Sequence, residues 1–308
     1  MNVEKTKKKN PSYAKWGYVF VASFFIVYFL FTFIPQIMTI FDSFFDYADL
    51  AGTLETDAKF CGFKNYVSLF RKNDRGEIEI LRDFGNTLIM WVIGAVPQMI
   101  VALLLALIFT GSKLKIKGSG FFKTLFYMPN LIMATAFAAL FLILFSTVGP
   151  FHQFFFDNGW ISEKFDFISD GTSARILVAI MNFVMWFGNT TILLMAGIQG
   201  IDESGFESAK IDGASSSHVL FDITLPLLKP IVVYVLITSM IGGLQMFDVP
   251  QVLTNKAKNN STRTMVMLIN DYLVPSNYGH AGAVSVILFI VTGILSLFVF
   301  KSINKKED

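Results

Sequence analysis

Residues 84–112 read FGNTLIMWVIGAVPQMIVALLLALIFTGS, and this stretch contains no Asp, Glu, Lys or Arg. Charged residues stand only at its borders, Asp83 on one side and Lys113 on the other. A bilayer core about 30 Å thick takes about 20 residues of helix, because each residue adds about 1.5 Å. A helix also satisfies its own backbone hydrogen bonds without water. The stretch is therefore predicted to cross a membrane as a helix.

Five further windows of the chain lack charged residues over a similar or slightly shorter length. The window after Lys229 is the shortest, and its helix is expected to extend past Asp248. We therefore predict an all-α integral membrane protein with six transmembrane helices. The predicted helices lie near residues 16–41, 84–112, 124–148, 176–201, 230–252 and 280–301.

The composition supports a membrane protein. Of the 308 residues, 54% are hydrophobic, 16% are charged and 34 are Phe, whereas ordinary soluble domains carry about 25% charge. This apolar surface exceeds what one soluble core buries, so lipid must act as part of the solvent. The net charge is only +2, so a nucleic-acid partner held by a basic face is not supported.

Several kinds of site are excluded by residues that the sequence lacks. Cys61 is the one cysteine, so neither an intrachain disulfide nor a Cys-x-x-Cys site can form. The three histidines are too scattered for a His-Glu-x-x-His metal site, and no Gly-Lys dipeptide exists for a phosphate-binding loop. The chain is therefore not expected to be an enzyme or to bind a metal or cofactor, and another chain would hydrolyse any ATP.

The distribution of lysine predicts the orientation in the membrane. Lys and Arg are enriched in cytoplasmic segments, and residues 1–15 form a basic segment before the first window. In the loop 111–123 every charged residue is a lysine. With both termini inside, the inside segments hold more than half of the 25 Lys and Arg residues. We therefore expect the segment 1–15 and the C-terminal tail 303–308 in the cytoplasm.

Two longer segments, residues 42–83 and 149–173, are then expected outside. Loops of more than about 12–15 residues usually carry structure or function. In the first, a turn at 62–66 leads into the apolar-periodic Val67, Leu69 and Phe70. The second is rich in Phe and also contains Trp, which indicates either an interfacial aromatic belt or a docking surface for an outside partner.

Residues 202–229 form the predicted cytoplasmic loop, and their spacing is helical. A face of small and apolar residues runs beside a charged strip. The face comprises Phe206, Ala209 and Gly213, and the strip comprises Glu203, Glu207 and Lys210. Gly213 can adopt positive φ and so turn one short helix into another. The second short helix is expected to end at Pro226, because proline cannot continue the hydrogen-bond ladder.

This loop resembles the signature of importer-type ABC permeases: E-A-A, three residues, G, nine residues, then I-x-L-P. Every spacing fits, and the matching residues are Glu207, Ser208, Ala209, Gly213, Ile223, Thr224, Leu225 and Pro226. The one departure is Ser208, where the pattern prefers alanine, and serine is small enough to preserve the packing. The length of the pattern and its cytoplasmic location make the resemblance specific.

Other segments resemble the carbohydrate-uptake branch of these permeases, the maltose-transporter type. Residues 120–129 resemble the entry to its third span. Residues 63–70 and 86–87 resemble its first outer loop and its second span. Residues 278–285 resemble the entry to its sixth span. Residues 242–248 with 253–254 resemble the larger, first permease of the pair. The similarity covers most of the predicted permease domain, 16–302. The Gly-Gly-Pro common after the Leu-Thr is replaced here by residues 255–260, so this loop is expected to meet its outside partner differently or to serve a different ligand.

The resemblance implies a multi-subunit importer in a bacterial cytoplasmic membrane. Its partners would be a second permease subunit, two ATP-binding subunits and an extracytoplasmic sugar-binding protein. ATP and Mg would be bound by the ATPase partner, and this chain would bind no cofactor. The residues implied to dock on the ATPase are Glu207, Ser208, Ala209, Asp212, Gly213, Ile223, Leu225 and Pro226.

A sugar path needs hydrogen-bonding groups on apolar walls. Polar side chains within hydrocarbon are costly unless they are paired or face a cavity, and aromatic faces suit the C–H faces of pyranose rings. Simple helix packing is the competing interpretation for each aromatic residue taken singly. The candidate path residues are Trp186, Asn189, Gln245, Phe247, Asp248 and Tyr278.

Two alternatives stay open from the sequence. The first is a permease of the same fold for another solute, such as glycerol phosphate or an amino acid. A phosphate would favour Arg or Lys near the cavity. No basic residue interrupts the extended fifth span, which mildly favours a neutral sugar. The second is a secondary transporter, which tends to carry intramembrane ionisable relays; Asp248 alone makes a poor relay. Which sugar is carried, and of what length, is left open.

Overall fold

The structure, a computed structural model, describes residues 14–47, 58–111, 117–254 and 260–304. Three predictions therefore fall largely outside the described residues: the basic segment 1–15, the lysines at 113 and 115, and the replaced loop 255–260. Most of the tail 303–308 also lies outside them.

The described residues are mostly helical, with one short two-stranded ribbon. In the ribbon, β1 (Phe45–Asp46) pairs antiparallel with β2 (Lys59–Phe60). Two π-helical turns, Phe29–Phe33 and Val219–Thr224, join helices that follow one another directly. The helices are α1 Ala14–Tyr28, α2 Ile34–Asp42, α3 Lys64–Leu69, α4 Glu79–Thr110, α5 Ser119–Leu131, α6 Ala134–Leu144, α7 Pro150–Asp157, α8 Gly171–Gln199, α9 Glu203–Ile211, α10 Ser216–His218, α11 Leu225–Leu244, α12 Asp248–Thr254, α13 Met265–Leu273 and α14 Tyr278–Asn304.

Five helical stretches in the described part of the chain are long and apolar enough to cross a membrane. They are Trp16–Asp42, Glu79–Thr110, Gly171–Gln199, Ser216–Leu253 and Tyr278–Ile303. Each overlaps one of the six predicted spans, so the sequence located these five segments correctly.

The third predicted span, 124–148, consists of two helices that meet at a sharp bend. Helix α5 begins earlier, at Ser119, and meets α6 at an angle of 91°. Pro129 removes a backbone donor from the last turn of α5. The backbone at Ile132 and Met133 is then extended, with ψ of 136° and 128°. The two helices make either one broken span or a re-entrant segment.

The fifth span also differs from its prediction, 230–252. Its helical segment begins at Ser216, and the helix does not end at Pro226 as expected. A π turn ends just before Leu225 and Pro226, and another ends just before Ile34 and Pro35. A widened turn accommodates the missing proline N–H, so the helix continues. At the other end the helix is interrupted at 245–247 and resumes as α12.

Helices α4 and α8 form the centre of the bundle because small residues let their backbones approach. A methyl group on Gly94 would lie 2.9 Å from the carbonyl oxygen of Ala179, and one on Gly188 would overlap the backbone of Phe126 in α5. Ala102 and Ala106 are fully buried beside α8 and α11. Close approach through small residues is the usual means of helix association in lipid.

Hydrogen bonds and ion pairs connect residues 260–264 to the first two turns of α4 and α8. Asp83 is fully buried, and its carboxylate pairs with Arg82 at 2.9 Å and Arg263 at 3.2 Å. Arg175 donates to Asn86 Oδ1 at 2.7 Å and to the Ser261 carbonyl at 2.9 Å. The guanidinium groups compensate the buried carboxylate, so this end of the bundle is held as one unit.

Candidate functional site

A cavity of about 240 Å³ lies between α4, α8 and α11. Each helix contributes residues at helical spacing, so each presents one face to the cavity. The aromatic side chains in its wall are Trp91, Trp186 and Tyr234. The polar side chains in its wall are Gln98, Asn182, Asn189, Thr190, Thr238 and Ser239.

Hydrogen bonds between the helices hold several of these polar groups in place. Gln98 Nε2 donates to Thr190 Oγ1 at 2.8 Å, and both residues are buried. Trp91 Nε1 lies 3.4 Å from Ser239 Oγ, and the indole covers Gly243, where any side chain would overlap it. Within α8, Asn182 Nδ2 donates to the Val178 carbonyl at 3.0 Å. The cavity wall is therefore pre-organised by the packing of α4, α8 and α11.

The cavity has the chemistry of a site for a neutral, hydroxyl-rich molecule. None of the residues that line it carries a charge. Amides and hydroxyls both donate and accept hydrogen bonds, and the indole and phenol rings supply flat apolar surface. Ligand pockets usually combine a largely apolar wall with a few placed polar groups, as this cavity does.

The structure brings two of the six predicted path residues, Trp186 and Asn189, to this cavity. Gln245, Phe247 and Asp248 lie instead at the interruption between α11 and α12, where Gln245 and Asp248 are exposed. Tyr278 begins α14, with its ring 5.5 Å from that of Tyr47. A role in the sugar path stays a prediction for all six residues.

Sequence reasoning missed most of the wall, including Trp91, Gln98, Tyr234, Thr238 and Ser239. The usable signal was Gln98, an amide in the middle of an otherwise apolar span, since such a group needs a partner or a cavity. The remaining residues are ordinary helix residues, and only the convergence of three helices identifies them.

A second cavity, of about 780 Å³, opens at the end of the bundle that carries α9. The end of α8, the start of α9 and the first turns of α11 form its wall. Leu193 and Tyr234 line both cavities. These two side chains therefore stand between the central cavity and the opening beside α9.

The predicted loop 202–229 forms the expected turn between short helices. Helix α9 ends at Ile211, and Gly213 has φ of +72°, which confirms its predicted left-handed turn. Ser215 then caps α10 by accepting from the His218 N–H at 3.3 Å. Asp202 precedes α9, and hydrogen bonds from the Ser204 side chain and backbone lower its pKa. A serine cap and a positive-φ glycine thus shape the segment.

The predicted docking residues divide into an inward and an outward set. Ala209 is buried, while Ile223 and Leu225 are half-buried, so these three hold the loop against the bundle. The Ser208 hydroxyl donates to the Ser204 carbonyl at 2.9 Å, which explains how serine fits there. The exposed members are Glu207, Ser208, Asp212, Gly213 and Pro226. Exposed Ile211 and Phe221 add apolar surface to this end of the molecule.

Comparisons with known proteins identify the family to which the chain is similar. A family described as "Binding-protein-dependent transport system inner membrane component" matches residues 82–306. A lactose transport system permease protein, LacF of Rhizobium radiobacter, is 32% identical over 81% of this chain and 83% of its own. A multiple sugar-binding transport system permease protein, MsmF of Streptococcus mutans, is 29% identical over 95% and 96%. An sn-glycerol-3-phosphate transport system permease protein, UgpA of Agrobacterium fabrum, is 28% identical over 94% of each chain.

The fold has a solved counterpart. A chain from the crystal structure of a bacterial ABC transporter involved in import of the acidic polysaccharide alginate superimposes with a TM-score of 0.76. The two chains are 20% identical, and the alignment covers 96% of each. At this identity the likeness concerns the fold, including the helices that enclose the central cavity.

Proposed function

Because the chain belongs to the binding-protein-dependent transport system inner membrane components, we propose that it forms half of the translocation pore of an ATP-driven importer for a neutral sugar or oligosaccharide. It is a multi-pass component of the cytoplasmic membrane. The observation that carries the choice of substrate is the central cavity, whose wall offers amides, hydroxyls and aromatic rings and no charge.

A sugar suits this cavity on chemical grounds. Its hydroxyls both donate and accept, matching Gln98, Asn182 and Asn189, whose amides do the same. The apolar C–H face of a pyranose ring can pack on the indole of Trp91 or Trp186. The names of the relatives support the same class, since lactose and multiple-sugar permeases are among them.

A phosphorylated solute is the second candidate, favoured by one relative named for sn-glycerol-3-phosphate transport. A phosphate dianion normally requires Arg, Lys or several backbone donors. The lining residues of the central cavity include no Arg or Lys. The neutral ligand is therefore the better fit, and the secondary-transporter alternative is not supported by the family assignment.

Coupling to ATP hydrolysis is proposed to occur at α9 and the turn after it. The exposed carboxylates of Glu207 and Asp212 and the apolar Ile211 and Phe221 form the surface offered to an ATPase subunit. Movement of α9 would be transmitted through the π turn Val219–Thr224, which α9 contacts, to α11, which lines both cavities. ATP and Mg would be held by the ATPase subunits.

The proposed orientation places α9 in the cytoplasm together with both chain termini. If α5 and α6 count as one broken crossing, the described helices cross the membrane six times, which keeps both termini on the α9 side. Lys301 in the last turn of α14 and Lys123 in α5 then lie at the same face as α9, in agreement with the enrichment of lysine on the cytoplasmic side. A second permease would complete the pore, and an external binding protein would deliver the sugar.

The proposal is tested by co-purification of the complex after Glu207→Arg. Wild-type protein, co-expressed with its neighbouring genes and solubilised in detergent, is expected to bring down an ATPase and a second permease. Glu207→Arg should release the ATPase and keep the second permease. Glu163→Arg, which reverses an exposed charge at the opposite end of the bundle, should keep both. Purification of the wild type alone, with solute movement in vesicles without ATP, would contradict the proposal.

A further inference from the structure

Helix α3 and the residues around it carry an exposed apolar stripe that the proposed transport function leaves unused. Phe60, Phe63, Val67 and Phe70 are 73%, 69%, 59% and 49% exposed. Phe63, Val67 and Phe70 are four and three residues apart, so they share one face of the helix. We call residues 60–70 the outer foot.

The opposite face of the outer foot is firmly attached to the bundle, so the exposed stripe does not result from a loose loop. Asn65 is 1% exposed, and its Nδ2 donates to the carbonyls of Ser43 at 2.9 Å and Phe45 at 2.8 Å. Ser68 Oγ lies 2.8 Å from His280 Nε2 of α14. Leu69 is buried in the core formed by α11, α13 and α14.

The stripe continues the exposed apolar surface of the first membrane span. Met38 and Phe41 at the end of that span are exposed. The ring centroids of Phe41 and Phe45 are 4.8 Å apart, and those of Phe45 and Phe60 are 5.5 Å apart. Because Trp16–Asp42 is long and apolar enough to cross a membrane, a surface continuous with its end lies at the depth where acyl chains meet headgroups.

Exposed basic side chains stand where the outer foot ends. Arg71 and Lys72 follow Phe70 directly and are exposed. A short amphipathic segment with aromatic residues on one side and basic residues beside it matches the chemistry of a bilayer interface. Lipid phosphates attract such basic residues near the membrane surface.

We propose that the outer foot is a membrane-binding element that lies flat in the lipid interface. Its four apolar side chains enter the boundary between acyl chains and headgroups, and Arg71 and Lys72 contact lipid phosphate. It fixes the ends of the first and last spans, which it joins through Asn65 and Ser68, at a defined depth in the bilayer. The assignment to the outer leaflet rests on the orientation proposed above, whereas the contact with lipid does not.

Spin labels on the whole importer measure this contact. The complex is reconstituted in nanodiscs of phosphatidylethanolamine and phosphatidylglycerol, in a Cys61→Ser background that removes the one native cysteine of this chain. One label is placed at Val67→Cys in the stripe, a second at Glu163→Cys on an exposed position in the other outer segment, and a third at the buried Leu69→Cys. Each label is tested for collision with oxygen, which concentrates in lipid, and with a nickel chelate, which stays in water.

The proposal predicts that the ratio of oxygen to nickel collisions at Val67 exceeds that at Glu163 by at least about threefold, with or without the binding protein, as for a side chain at the acyl boundary. A ratio equal to that of Glu163 would show that the stripe faces water, and shielding from both reagents, as at Leu69, would show that another subunit covers it. Either result overturns the proposal. The readout does not depend on transport, so a complex with Val67 in lipid that imports no sugar would refute the proposed function alone.

Discussion

Helices α4 and α8 and the first span all contain long stretches without charged residues, yet the structure buries them to different degrees. Helix α8 has the largest buried share among the five spans, and the central apolar window of Trp16–Asp42 has none of its residues buried. The difference lies in side-chain size. Gly94, Ala102 and Gly188 allow backbones to approach along α4 and α8, whereas the first span exposes large side chains such as Phe20 and Phe24.

Hydropathy therefore predicts which segments enter the membrane, and small residues predict which of them pack within the chain. A span that exposes bulky apolar residues along its length must be covered by lipid or by another subunit. The central cavity lies beside the packed pair, where its walls are held rigidly, and the surfaces for other components lie elsewhere.

The largest effect on stability is expected from a substitution at Gly188, where α8 meets α5. In Gly188→Ala the new methyl group meets the backbone carbonyl of Phe126, which cannot rotate away. Overpacking costs about 1–3 kcal/mol, and a backbone contact should reach the upper end. Thermal unfolding in detergent should show a clear fall in Tm.

The matched control is Gly17→Ala in the first span, where a methyl group has no neighbour within 4 Å. Alanine stabilises a helix by roughly 0.5–1 kcal/mol relative to glycine, so Tm should hold or rise slightly. Equal losses at Gly17 and Gly188 would show that the two spans are packed alike.

A smaller effect is expected from the hydrogen bond inside the packed pair. Thr190→Val removes the acceptor of Gln98 Nε2 and leaves a buried amide unpaired. Such bonds in membranes contribute about 1 kcal/mol, so the thermal unfolding midpoint should fall modestly. Thr190→Ser should keep a midpoint close to that of the wild type, because serine retains the hydroxyl. If Val and Ser give the same midpoint, the bond between α4 and α8 does not stabilise the fold.

The smallest effect is expected at the exposed first turn of α8. Asp170 caps the helix by accepting from the Ser173 N–H at 2.8 Å, and the bonds from Ser173 lower the pKa of Asp170. A lowered native pKa means that the carboxylate stabilises the fold above the unfolded pKa of about 3.9 and that this contribution is lost as the pH falls through the lower native value. Asp170→Ala should cost about 0.5 kcal/mol at neutral pH, the lower end of the range for loss of an N-cap, because Asp170 is exposed.

Asp170→Asn is the control, because its side-chain oxygen caps the helix at every pH. Unfolding midpoints measured from pH 7 downward should show wild type losing its advantage over Asp170→Ala in acid, while Asp170→Asn keeps it. A constant difference between wild type and Asp170→Ala across the acid range would rule out the charged cap.

Much of the fold followed from the sequence, because charge-free length is a local property. The turn at Gly213 was also predictable, since few residues other than glycine adopt its φ readily. Pro226 misled the prediction, because a π turn lets the chain continue through it, as another does before Pro35. Pro129 indicates a break, but the 91° angle between α5 and α6 depends on the packing of α5 against α8 and of α6 against α12, which no local pattern specifies.

The cavity was only partly predictable for the same reason. Asn189 was predicted because it is a polar residue in an otherwise apolar span, and Trp186 because its ring suits the C–H face of a pyranose. Tyr234 and Ser239 look like ordinary residues of α11, and their role depends on where α4 and α8 lie. Polar residues in a span indicate that a cavity or partner exists, and tertiary packing decides which helices complete it.

Uptake into proteoliposomes tests the central claim most directly. Proteoliposomes contain the importer with its second permease, ATPases and binding protein. They are incubated with neutral mono- and oligosaccharides and, separately, with sugar phosphates and glycerol phosphates. We expect ATP-dependent uptake of a neutral sugar. In Trp186→Ala uptake should fall at least about tenfold, roughly 1.4 kcal/mol, while ATP hydrolysis stimulated by the binding protein continues. Uptake without ATP, or accumulation of phosphorylated solutes only, would contradict the central claim.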